Sequence, residues 1–182
     1  PVQNNNIGGI TRALDTAIDN VNKAAIGNQR PLLLIRFLPT AENNRMTSDF
    51  SACNSLESYL SSPSLTRRCR TVAILDGQYT DHVILPALAC SKLIISPETT
   101  VSGPESDTTR LTSEVKDDYQ RVAEAHKHLP VPIIEAVLDP TVSLHEVTTN
   151  DGTFFVTGTE QQKLLEQGKV NSSTGISLAG DA

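Results

Sequence analysis

A strand, a polar turn, a helix and a second strand follow one another within residues 72–97, and this order limits the folds open to the chain. A helix that begins where a buried strand ends presents free backbone N–H groups and the positive end of its dipole, which suits an oxyanion or an acyl group. The turn carries Thr80, Asp81 and His82, with neither serine nor cysteine. The segment therefore predicts the shape of a reactive site without its nucleophile.

Length and charge exclude several classes of function. A chain of 182 residues with 38% hydrophobic residues can bury one core, so we expect a single domain over 1–182, with its core at about 8–168 and an irregular tail at 169–182. The net charge of -6 disfavours nucleic acid as a partner. No apolar run approaches the ~18 residues of a membrane span. Because the sequence begins at proline, we expect it to be part of a longer chain.

The three cysteines give no sign of a metal site. Cys53, Cys69 and Cys90 lie too far apart in sequence for a C-x-x-C arrangement, and any pairing leaves one over. We expect Cys90 to be a buried thiol at the end of an apolar helix. Cys53 and Cys69 flank a predicted helix and could pair only in an oxidising compartment, so free thiols are the default prediction.

Helices and strands alternate along the chain up to about residue 128, as a parallel sheet requires. The run 32–38 is continuously apolar except for Arg36, which is typical of a strand covered on both faces. The predicted elements are helices over 10–25, 48–60 and from Thr108 or Thr109 to about His128, and strands over 32–38, 69–75 and 92–95.

The C-terminal part carries a hairpin signal. Residues 144–149 and 153–157 are strand-like and are joined through Asn150-Asp151-Gly152, and Asp-Gly between strand formers favours a hairpin. A short helix over 133–138 precedes the hairpin, and a helix over 159–168 follows it. We place His145 on a strand edge, and we place His126 and His128 at a helix end, where a cation complements the helix dipole.

Several short motifs stand in an informative order, although each alone is weak. They are 87–90, 93–97, the loop closing at Gly103, 134–139, 147–152 and 159–162. Together they resemble the ClpP/crotonase superfamily, and more closely the ClpP-class peptidase domain of NfeD-type membrane-associated proteins, over most of the chain. The resemblance implies an α/β fold of ClpP/crotonase type, a β-β-α spiral with a long helix and a C-terminal hairpin.

The resemblance also implies that the catalytic residues are replaced. Active relatives carry a serine at the start of the helix after the turn and a lysine at the start of the long helix, and these positions fall on Asp81 and Arg110 here. A carboxylate attacks amides poorly and an arginine is not deprotonated in a protein, so neither half of a Ser–Lys pair remains. If the family geometry holds, Asp81 and Arg110 are neighbours and could form an ion pair.

A third departure concerns the oxyanion region. Relatives place a Gly-Gly pair after the strand equivalent to 32–38, whereas this chain has Thr40 and Ala41 after Pro39. Side chains there would obstruct close approach of a substrate backbone, although the N–H donors remain. The binding groove implied by the resemblance comprises this region together with Thr80, His82 and Val83.

Two alternatives stay open. The first is an active serine peptidase with a shifted nucleophile, although Thr80 would be rotated by ~100° away from the family's serine position. The second is an acyl-CoA enzyme of the crotonase branch, with Glu105 as general acid or base. Against it, Leu85 occupies the position of a hydratase's second glutamate, and the Gly-rich approach to the helix is missing.

The sequence thus favours a catalytically degenerate peptidase domain that acts in binding or assembly. We expect no metal and no cofactor. The expected partner is a peptide segment or a protein, including a second copy of the chain. The resemblance implies an extracytoplasmic or membrane-associated location, with the membrane reached only through segments outside this sequence.

Overall fold

The computed structural model describes residues 2–24, 30–39, 48–79, 81–101, 112–139 and 141–176, except for the side chains of residues 24 and 81. The chain has a mixed α/β fold with parallel and antiparallel sheets. It forms two compact units, Pro1–Asp107 and Thr108–Ala182. The expectation of a single domain stays a prediction.

The first unit contains a parallel sheet and four helices among its described residues. Its elements in chain order are α1 (Ile7–Ala24), β1 (Leu32–Phe37), α2 (Phe50–Ser61), α3 (Pro63–Arg68), β2 (Arg70–Leu75), β3 (Gln78–Tyr79), a 3-10 turn (Asp81–Val83), α4 (Ile84–Leu88), β4 (Lys92–Ile95) and β5 (Thr100–Val101). The predicted helices and strands of this unit are confirmed, with shifted ends.

Two sets of parallel strands organise this unit. The order in the main sheet is β1-β2-β4, and the short strands β3 and β5 pair with each other in a second sheet. Helices α3 and α4 contact the main sheet, and α2 packs against α4. Arg68 at the end of α3 donates hydrogen bonds to Asp15 at 2.7 Å and to Asp19 at 2.8 Å, which joins α3 to α1.

The prediction that β1 is covered on both faces is wrong. Leu33, Ile35 and Phe37 are half-buried or buried, whereas Leu32 and Leu34 on the opposite face are exposed. The alternation has the period of two expected when one face of a strand packs and the other meets solvent. The described part of the first unit therefore leaves the apolar side chains of Leu32 and Leu34 largely exposed.

The second unit contains three helices and an antiparallel sheet among its described residues. Its elements are α5 (Ser113–His126), α6 (Val131–Leu138), β6 (Leu144–Thr149), β7 (Gly152–Thr157), α7 (Gly158–Glu166) and β8 (Ser172–Ile176). The strand order is β7-β6-β8. The predicted hairpin is confirmed, because β6 and β7 pair from Leu144↔Thr157 to Thr149↔Gly152.

Two predictions for this unit are corrected by β8. The segment 169–182 was expected to be irregular, but Ser172–Ile176 is a strand that pairs with β6. As a result, His145 lies on the central strand of the sheet, not on an edge strand. The backbone of a polar segment can join a sheet when the neighbouring strand offers free N–H and C=O groups, and β6 offers them on this side.

The residues around the first turns of α5 and α6 explain where these two helices begin. Helix α5 begins at Ser113, after Thr112, whose side chain accepts a hydrogen bond from the Val115 N–H. Thr112 is therefore the cap of α5, and the expected caps Thr108 and Thr109 lie outside the described residues. Helix α6 begins at Val131, two residues before its predicted start, because Pro132 in the first turn needs no hydrogen-bonded N–H. Within the described segments, no helix has both the length and the hydropathy needed to cross a bilayer.

Candidate functional site

The turn after β2 is held against the end of β1. Gly77 has φ +121°, and a Cβ at this position would lie 2.9 Å from the Cβ of Pro39. The turn therefore needs glycine for both its dihedral angle and its close approach. Tyr79 is buried and bonds to both sides of this junction. The carboxyl ends of β1 and β2 meet here, which is where open parallel sheets bind ligands.

His82 and Val83 are packed side chains at the beginning of the helix that follows. The 3-10 turn Asp81–Val83 leads directly into α4. His82 is half-buried, and its ring meets the Phe50 ring edge-on, with centroids 5.0 Å apart and planes inclined at 69°. Val83 is buried. His82 is therefore placed by aromatic packing against the first residue of α2.

The remaining sequence-predicted site residues fall outside the described part of the structure. They are Thr40, Ala41, Thr80, Glu105, Arg110 and the side chain of Asp81. The structure places none of them, so the Asp81–Arg110 ion pair and the groove that they would form stay predictions.

The cysteines of the first unit are buried thiols. Cys53, Cys69 and Cys90 form no disulfide with one another. Burial raises the pKa of Cys90 to about 12, against a smaller opposing effect of its hydrogen bond with Thr71. Burial also raises the pKa of Cys69. Because the thiolate is the nucleophilic form, the raised pKa values disfavour nucleophilic reaction of Cys69 and Cys90 at neutral pH.

One face of the β1-β2-β4 sheet combines exposed apolar and basic side chains. Leu32, Leu34 and Ile94 are 59%, 60% and 52% exposed. The register Leu34↔Val72↔Lys92 places the three strands' side chains on a common face, and Arg36, Arg70 and Lys92 are the exposed cations of that face. We call this surface the uncovered face and define it by its exposed side chains, Leu32, Leu34, Ile94, Arg36, Arg70 and Lys92; Val72, between Leu34 and Lys92, is buried.

Two cavities lined by described residues lie in the second unit. The smaller, of about 210 Å³, lies between α5 and α6 and is mostly apolar. Its lining residues are Lys116, Tyr119, Gln120, Val131, Ile134, Glu135, Leu138 and Val142. The larger, of about 710 Å³, is mostly lined by neutral polar residues from β6, α7 and the segment before β6. Glu135 and Val142 line both cavities, so the cavities adjoin at these two residues.

The surroundings of the Glu135 carboxyl group favour its protonated form. Burial raises its pKa, and the negative charge of Glu160 raises it further, against a smaller opposing effect of Lys116. The Lys116 ammonium is engaged elsewhere, because its Nζ lies 2.8 Å from Oδ2 of Asp139. Among the described residues, no cation lies within ion-pair distance of Glu135. A carboxyl with a perturbed pKa in a cavity is a candidate for ligand binding.

His145 also lines the larger cavity, and Gly158 and Gly175 lie beside its ring. A Cβ at Gly158 would collide with Oγ of Ser143 and lie 3.7 Å from Nε2 of His145. A Cβ at Gly175 would lie 3.8 Å from its Nδ1. Nδ1 is buried and has no hydrogen-bond partner among the described residues. His145 thus lines the cavity with a ring whose Nδ1 is enclosed and unsatisfied.

Sequence reasoning missed this second group of residues. Glu135 attracted notice only within a motif of the family resemblance, and His145 only as a strand residue. One local signal was present, because Ser143 and His145 are two residues apart and so share a face of a strand. No group of three or more His, Cys, Asp or Glu side chains in the described ranges is placed to hold a metal ion.

Searches of the chain against protein-family models, against curated proteins and against solved structures returned no match. The resemblance to the ClpP/crotonase superfamily therefore depends on the sequence motifs alone.

Proposed function

We propose that the chain is a catalytically degenerate domain of ClpP/crotonase type that acts as a binding or assembly module. The element order supports the proposal. Along the first unit, β2, β3 and α4 follow one another as a longer strand, a two-residue strand and a helix, and β4 and β5 repeat the order of the two strands. The longer strands pair in one sheet and the short strands in another, as a β-β-α spiral requires.

The uncovered face of the β1-β2-β4 sheet is the main observation that supports the proposal. Parallel sheets are normally covered on both faces, and the continuous apolar run of β1 is of the kind found in such sheets. Leu32, Leu34 and Ile94 are instead exposed in the described structure. Contiguous exposed apolar side chains rimmed by polar residues mark protein interaction sites. The partner is a peptide segment or a protein, with a second copy of the chain as the first candidate.

An association experiment tests this face. Analytical ultracentrifugation of the wild type over a concentration series should show self-association, and the double variant Leu34→Lys/Ile94→Lys should remain monomeric. Leu165→Lys is the matched control, because Leu165 is 54% exposed but lies on α7 in the other unit. Self-association that survives the double variant would contradict an interface at this face.

The lack of catalysis is tested separately. We expect no cleavage of casein and no labelling by a serine-reactive fluorophosphonate, since Asp81 and Arg110 stand where active relatives carry serine and lysine. Labelling that is lost on replacement of Thr80 or His82 would support the active-peptidase alternative. Stabilisation by acetyl-CoA in a thermal shift would support the acyl-CoA alternative that invokes Glu105. No described contact favours either alternative.

We further propose that the full-length protein places this domain outside the cytoplasm or at a membrane, as in NfeD-type proteins. This part of the proposal is supported by the sequence resemblance. Fractionation of cells that produce the full-length protein tests it, and recovery only in the cytosolic fraction would contradict it.

A further inference from the structure

The two cavities of the second unit together have an amphipathic lining. The smaller cavity is bounded by the side chains of Tyr119, Val131, Ile134 and Leu138. The larger is bounded by hydroxyl, amide and imidazole groups, including Ser143, His145, Thr157, Gln161 and Gln162. A single ligand that occupies both cavities must therefore carry an apolar group at one end and a polar group at the other.

Size limits the apolar group. Apolar cavities of about 150 Å³ are sufficient for benzene. The smaller cavity has a volume of about 210 Å³, so it can hold a short alkyl chain or one aromatic ring.

Charge selects the polar group. Glu135 stands where the two cavities adjoin, and no described cation lies within ion-pair distance of it. Lys116 lines the smaller cavity together with Glu135, but its Nζ already donates a hydrogen bond of 2.8 Å to Asp139. Glu160 adds a second negative charge to the surroundings of Glu135. An anionic ligand would be repelled here, whereas an ammonium group would supply the missing countercharge and donate to the neutral oxygens of the larger cavity.

We propose that residues 108–182 hold a binding site for a small organic ammonium ion, with its apolar group between α5 and α6 and its ammonium group at Glu135. The site is independent of the uncovered sheet face and of the degenerate peptidase turn. His145 and Gln161 line the larger cavity, where they can accept further hydrogen bonds from the ligand.

Isothermal titration calorimetry with three probes of similar shape tests the proposal. Hexylamine, hexanol and hexanoate are titrated into the full chain at neutral pH in phosphate buffer, which contains no competing amine. We expect hexylamine to bind at least about tenfold more tightly than hexanol, and hexanoate not to bind. Methylamine should bind at least about tenfold more weakly than hexylamine, because it leaves the apolar cavity empty.

Two variants separate the charge of Glu135 from the general charge of the unit. Glu135→Gln keeps the shape and should weaken hexylamine binding by about tenfold or more without changing hexanol binding. Glu146→Gln is the matched control, because Glu146 is exposed on β6 and does not line either cavity. Absence of saturable hexylamine binding, equal affinity for hexanol, or unchanged affinity in Glu135→Gln would each overturn the proposal.

Discussion

The hydroxyl of Tyr79 donates a hydrogen bond of 2.7 Å to the carbonyl oxygen of Phe37, the last residue of β1. The same hydroxyl accepts a hydrogen bond of 2.9 Å from the backbone N–H of Asp76. One buried side chain thereby joins the end of β1 to the turn after β2. These are the two chain segments that would border a groove at the carboxyl ends of the strands, so their relative position depends on Tyr79.

Tyr79→Phe should therefore destabilise the first unit. The substitution leaves a buried carbonyl and a backbone N–H without their partner, and such losses cost about 1–2 kcal/mol each in unfolding free energy. Urea unfolding followed by far-UV circular dichroism measures the change. An unchanged urea midpoint would contradict the bridging role of the hydroxyl.

Gly77→Ala should destabilise the same junction through the backbone. With φ +121° and a Cβ at 2.9 Å from Pro39, the new methyl group meets both dihedral strain and a steric clash. We expect a loss of about 1–3 kcal/mol in urea unfolding. Gly9→Ala in α1 is the control, because nothing lies within 4 Å of its Cβ position. The control should be neutral or stabilising by up to about 1 kcal/mol, and a similar loss in both variants would contradict the strain argument.

Elements with a strong local pattern could be predicted from the sequence. The hairpin of β6 and β7 was found because strand formers flank Asp151-Gly152. Strand β8 was missed because the segment Ser172–Ile176 is almost entirely small and polar. Its pairing depends on the free edge of β6, which is not encoded within the segment. Helix α3 was missed although its signal was present, since Ser62 caps it and Pro63 occupies its first turn.

The candidate ligand site could not be predicted for a different reason. Its charged and polar groups come from separate elements, with Glu135 on α6, His145 on β6 and Gln161 on α7. No local motif links them, and only tertiary packing brings them to the same cavities. Exposure of Leu34 was likewise unpredictable, because the sequence indicates how apolar a strand is but not which partner covers it.

Thr157→Ala should weaken helix α7. The Thr157 hydroxyl accepts a hydrogen bond from the Glu160 N–H, and the Glu160 carboxylate accepts one of 2.9 Å from the Thr157 N–H. Loss of such a cap costs about 1 kcal/mol. Thr157→Ser keeps the hydroxyl and should retain most of the stability. Hydrogen exchange of the α7 amides measures the local effect, and equal exchange rates in the two variants would contradict the capping role.

Asp139 should make the second unit sensitive to acid. Hydrogen bonds from Lys116 and then from Thr141 lower the pKa of Asp139 from 3.8 to about 2. Because the folded state favours the carboxylate, this stabilisation is complete above the unfolded pKa and is lost as the pH falls from about 4 to about 2. Lys116 is 45% exposed, so solvent limits the effect to about 1 kcal/mol. Asp139→Asn should reduce the urea midpoint at neutral pH and flatten its decline over that acid range. Asp117→Asn on the exposed side of α5 should leave both unchanged, and identical acid profiles for wild type and Asp139→Asn would contradict the assignment.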